Sequence, residues 1–219
     1  MSDDVVVTRS ALRTPRSAAV AGIVFAVLMS ASIVLVRWVI RADPAQAGIW
    51  LTEPHRRDAA RLGLALLPFA GIAFLWFVGV IRDRIGVHED RFFATVFLGS
   101  GLLFVGMLFV AAAVAGGLLE LAGSEQIEPD VWTLAHNTTF NLLSIYAIRM
   151  AAVFMISCAT MTLRSGVMPR WLGYSGYVAA LLLLVGTDVQ HWLQFLFPLW
   201  VFVLSVHILI ASARAPRTP

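Results

Sequence analysis

A chain of 219 residues with 59% hydrophobic and 13% charged side chains and a mean hydropathy of +0.84 belongs mostly in lipid, which excludes an ordinary soluble domain. The formal net charge is +3, and all 16 basic residues are arginine; they are dispersed at the ends of apolar runs, which argues against a nucleic-acid surface. The only cysteine, Cys158, lies inside an apolar segment, so neither an intrachain disulfide nor a cysteine-rich metal site can form.

The apolar runs are far longer than the roughly 9–11 residues of a barrel strand, so helices must satisfy the backbone within the hydrocarbon. The expected fold is all-α, a polytopic membrane bundle of six transmembrane helices. Their predicted positions are 18–40, 60–81, 92–121, 132–163, 171–185 and 192–212, with a polar segment (1–17) before them and a tail (213–219) after them.

The first segment carries Arg9, Arg13 and Arg16 and precedes the apolar run Ala18 to Ile40. Ala45-Gln46-Ala47 looks like a signal-peptide cleavage site, but the run exceeds the h-region of about 7–15 residues, so it reads as an uncleaved span. Arg37 and Trp38 suit an interface at its end. Arg41 to Ala59 form the longest connection, with breakers at Asp43-Pro44 and Glu53-Pro54. The second span contains Pro68, expected to kink it, and ends in the charged turn Arg82 to Arg91.

The third span meets no charge from Phe92 until Glu120, more than the roughly 20 residues needed to cross, so it is tilted or extends beyond the lipid. Gly99, Gly101 and Gly106, with the small-xxx-small pairs Thr95/Gly99, Ala112/Gly116 and Ala113/Gly117, would permit close helix contact or self-association. Gly123 to Asp130 is an acidic turn. The fifth span barely reaches across, and the polar turn Gly186 to His191 separates it from the sixth.

Six spans put both termini on one side. With them lie Arg9, Arg13, Arg16, Arg82, Arg84, Arg91, Arg164, Arg170, Arg214 and Arg217; opposite lie Arg37, Arg41, Arg56, Arg57 and Arg61. The positive-inside rule therefore predicts cytoplasmic termini.

Arg149 is the exception, because it falls inside the fourth span. At about 1.5 Å per residue it lies roughly 25 Å from Trp132 and roughly 22 Å from Arg164, near the bilayer midplane. On a wheel of about 100° per residue, Asn137, Thr138, Asn141, Ser144, Arg149 and Thr160 share an arc of roughly 160°, although Ile145 and Ile148 lie in it too. A polar arc at that depth should face protein or water, and Arg149, Asn137, Asn141 and Ser144 are the expected lining of a ligand cavity.

At Arg164-Ser165-Gly166-Val167-Met168-Pro169-Arg170-Trp171-Leu172-Gly173 the chain resembles a short basic turn, RSG-x-x-PR-x-LG, shared by a family of uncharacterised bacterial multi-spanning membrane proteins. The span that follows departs from the family pattern at Tyr174 to Ala180. The resemblance implies a bacterial inner-membrane location and supplies no catalytic residue. The residues themselves predict a positive backbone dihedral at Gly166, a helix start at Pro169, and headgroup contacts for Arg164 and Arg170.

His136 and His191, with Asp188 nearby in sequence, offer an alternative chemistry, since imidazoles on neighbouring helices can ligate a haem b or a transition metal. Their spacing is not diagnostic. Enzyme signatures are missing: there is no G-x-S-x-G elbow, H-E-x-x-H, P-loop or G-x-G-x-x-G. The sequence thus predicts no cofactor and a non-catalytic inner-membrane protein that binds a lipid or other amphiphile, or an accessory subunit with a membrane-protein partner or a second copy. A redox subunit using His136 and His191 is the alternative, and a small transporter the third reading.

Overall fold

In the computed structural model, which describes residues 15–40, 54–85, 91–124, 128–166, 169–186 and 191–214, every regular element is helical. The elements are α1 (Pro15–Ile40), α2 (Pro54–Ile85), α3 (Arg91–Ser124), α4 (Pro129–Asn141), α5 (Ile148–Ser165), α6 (Arg170–Gly186) and α7 (Leu196–Arg214). A π-helical turn, Leu142–Ala147, joins α4 to α5, and a 3-10 turn, His191–Phe195, leads into α7. The chain is a helical bundle of membrane type. Five stretches are long and apolar enough to cross a bilayer, Ser17–Val36, Pro54–Arg82, Phe92–Leu121, Asp130–Arg164 and Trp192–Ala213, and α6 adds a shorter apolar helix.

Local chemistry sets several helix ends. Helix α2 starts at Pro54, upstream of the expected start near Ala60, because proline at a first helical position has no N–H to leave unpaired. It continues through Pro68, which lies inside the helix and faces outward. Helix α5 stops at Gly166, whose φ of 63° is the left-handed cap expected there. The Leu172 N–H then donates to the Pro169 carbonyl at 3.0 Å and opens α6. The Arg164 guanidinium sits 4.6 Å from the centre of the Phe93 ring, a cation–π contact tying the ends of α5 and α3.

The helices form a ring, each packed on the next in sequence, and α7 closes on α1. Its centre is filled by phenylalanines: Phe25 (α1), Phe74 (α2), Phe104 (α3), Phe154 (α5) and Phe197 (α7) have ring centres 4.8–6.2 Å apart. These rings, in tilted and edge-on contact, are buried in the middle of the bundle. A second, smaller apolar cluster joins Ala60 and Leu64 (α2), Leu119 (α3) and Trp132 (α4) at the end away from the termini. There α2, α3 and α4 run on together, so the long third span extends beyond the main core, as its length required.

Close helix contact falls on different glycines from those the sequence suggested. A Cβ on Gly99, Gly106, Gly116 or Gly117 would meet nothing within 4 Å, and on Gly101 it would meet only ordinary contacts. The tight approaches are Gly22 of α1, where a Cβ would run into the Ser205 hydroxyl of α7 and sit 2.8 Å from Phe77, and Gly63, Gly71, Gly173, Gly176 and Gly186, the last against Leu193. Interhelical hydrogen bonds join the bundle at several points. Ser32 donates to the Gly63 carbonyl at 2.7 Å, Thr160 and Tyr177 share one at 2.6 Å, and Gln194 donates to Ser144 at 3.2 Å. Most other buried hydroxyls bond back to their own helix, as Ser100, Ser157 and Thr162 do.

Candidate functional site: the polar stripe of the fourth span

Helix α4 begins with Pro129, has Asp130 in its first turn where an acid suits the helix dipole, and lacks a side-chain cap. Trp132 stacks on His136 at 5.8 Å between ring centres. The π turn at Leu142–Ala147 follows directly. Such a turn accommodates one extra residue, so it rotates everything after it by about 100° relative to an unbroken α-helix.

That rotation changes which residues share a face. On a regular wheel Arg149 would stand about 120° from Asn137 and about 80° from Asn141; after the π turn it stands about 20° from each. All three are exposed. Ser144, on the π turn itself, is buried and accepts the Gln194 hydrogen bond. The structure therefore brings Arg149, Asn141 and Asn137 onto one outward stripe and places Ser144 on the inner side. Arg149 makes no hydrogen bond or ion pair with any described residue.

The same stripe continues down α5 as the surface that holds α6. A Cβ on Gly173 would touch Leu163, one on Gly176 would touch Ala159, and Thr160 bonds Tyr177. Continuing this antiparallel register brings Gly186, the last residue of α6, level with Arg149. The stripe is thus apolar where α6 covers it and becomes polar where α6 ends. Above that level α4 packs on α3 and on the π turn, and Arg149, Asn141 and Asn137 stand on its exposed face.

Two features beside this stripe were not among the sequence candidates. One is Gln194, whose amide donates to Ser144. The π turn has no local signal, since Leu142-Leu143-Ser144-Ile145-Tyr146-Ala147 contains neither glycine nor proline. The short fifth span did signal the end of α6.

The histidine pair is placed only in part. His136 is half-buried against Trp132, while Asp188 and the side chain of His191 lie outside the described residues. Among the described residues no group of three His, Cys, Asp or Glu side chains could hold a metal ion. A separate apolar groove of about 410 Å³ lies between α1 and the start of α7, lined by Ala26, Val27, Ser30, Pro198, Leu199 and Phe202 among others. It includes no residue of the fourth span.

No protein family, curated protein or solved structure matches the chain. The likeness at Arg164–Gly173 therefore stands on that junction alone, and function has to be read from the exposed Arg149 stripe.

Proposed function

We propose that this chain is a multi-pass protein of a bacterial inner membrane, with cytoplasmic termini, that binds a lipid or other amphiphile on the Arg149 stripe. The observation that carries the reading is Arg149 itself: an exposed guanidinium inside the fourth apolar span, with no acceptor among the described residues, on one face with two exposed asparagines. An arginine at a helix centre costs about 2.5–3.5 kcal/mol on insertion scales, a cost relieved when the group reaches water or an anionic oxygen. The central phenylalanines fill the bundle axis, which disfavours a transport path and favours a ligand held at the periphery. An accessory role beside a larger membrane partner uses the same stripe, with the lipid as part of the contact.

The arginine distribution supports the orientation. Under it, Asn137 and Asn141 lie on the external side of Arg149. The test is mass spectrometry of the amphiphiles that copurify with the wild type and with Arg149→Leu. The expected result is a species bound at about one per chain that the variant loses; an identical complement in both would overturn the reading.

A further inference from the structure

We propose that the outer face shared by α2 and α3 is a dimer interface, occupied in the membrane by a second copy of this chain related by a two-fold axis along the bilayer normal. This goes beyond the amphiphile reading and does not depend on it. The first observation is Trp76, 70% exposed on α2 inside the apolar stretch Pro54–Arg82. Side chains on an α-helix lean toward its N-terminus, so the indole leans away from the Arg82 end and deeper into the apolar layer. A lipid-facing tryptophan belongs where headgroups or water accept from its N–H, whereas one that leans inward suits a protein contact. Trp76 shares its face with Phe69 and Ile72, 63% and 49% exposed.

The second observation is a furrow at the same depth on the neighbouring helix. A Cβ on Gly99 or Gly106 of α3 would meet nothing within 4 Å, so neither glycine serves packing within the bundle. Gly106 is exposed and stands on the outer side of α3 with Leu102 and Val110, each 51% exposed. A Cβ on Gly101 would touch Val78, and one on Gly71 would touch Val105 and Phe109, which sets the antiparallel register of α2 and α3. In that register Trp76 lies midway in depth between Gly99 and Gly106. A two-fold axis along the bilayer normal sets equal depths of two copies against each other and makes each patch meet its own kind. It therefore brings the indole of each copy to the glycine furrow of the other, where a close approach gains the dispersion contacts that hold membrane helices together. A different membrane protein would need no such match of projection and furrow within one chain.

Area and charge fit the same occupant. The exposed side chains of this face offer roughly 700 Å² per copy, near the about 800 Å² per partner of a stable interface. At the far end of the face Arg61 of α2 and Glu120 of α3 are both exposed and lie level to within a helical turn. The two-fold sets Arg61 of one copy toward Glu120 of the other, and the reverse, so the two copies are complementary in charge.

The experiment is Förster transfer between donor- and acceptor-labelled copies of the full chain, each labelled through Ser124→Cys, in vesicles of phosphatidylglycerol and phosphatidylcholine. The expected result is transfer that persists as the protein is diluted in lipid. Gly106→Leu fills the furrow where the chain itself leaves room, and Trp76→Ala removes the projecting ring; each should lower the dimer fraction about tenfold or more. Trp76→Ala truncates an exposed side chain, so it reads the interface even where Gly106→Leu fails to fold. Val178→Ala, at an exposed position of α6, should leave the transfer unchanged. Transfer no greater than random encounter gives would overturn the proposal, as would a dimer that survives Trp76→Ala or one that Val178→Ala dissolves equally.

Discussion

Arg149 and Gly22 show how differently two residues of the bundle are constrained. Arg149 is exposed and pairs with no described residue, so removing its charge takes away an insertion cost. Arg149→Leu should therefore melt in detergent at the same temperature as the wild type or higher while losing its bound amphiphile. A large drop in melting temperature with unchanged lipid would assign the arginine a purely structural role. Gly22 sits where α1 and α7 nearly touch, against Ser205 and Phe77. Gly22→Ala should cost about 1–3 kcal/mol through overpacking, read as a fall in melting temperature, and a neutral result would show that α1 and α7 stand farther apart.

At the scale of elements the π turn sets how the fourth span presents its polar groups. Because it holds one extra residue, deleting Leu143 should convert it to regular helix while keeping the faces of α4 and α5 in their present relation. Deleting Val153 from α5 should rotate one part of the helix against the other by about 100° and strip the α6 contacts. The expected outcome is a folded, monodisperse Leu143 deletion and a misfolded Val153 deletion on size-exclusion chromatography; equal behaviour would contradict the role given to the turn. The spans and the Gly166 cap were legible in the sequence because long apolar runs, and a glycine after a helix, each have a direct physical meaning. The exposed stripe was legible only in part. Arg149 and the asparagines stood out, but a wheel drawn without the π turn grouped Ser144 with them, and nothing in LLSIYA announced the change of phase. The depth of Gly186 beside Arg149 was hidden as well, because it depends on how Gly173 and Gly176 seat α6 against Leu163 and Ala159.

For the whole molecule, the helices pack around a core rich in phenylalanine, and Arg149 stands exposed on the fourth span. The orientation proposed for that bundle can be checked with single cysteines, since the native Cys158 is buried. A membrane-impermeant maleimide applied from outside should label Ser124→Cys and spare Gly86→Cys, and the reverse pattern would invert the topology. The most direct measurement of the central claim is solid-state NMR of the arginine-15N-labelled chain in phosphatidylglycerol and phosphatidylcholine vesicles. The Arg149 signal would be assigned by its loss in Arg149→Lys. The account predicts that lipid 31P dephases that signal, as a lipid bound on the Arg149 stripe requires; an Arg149 signal untouched by 31P would contradict it.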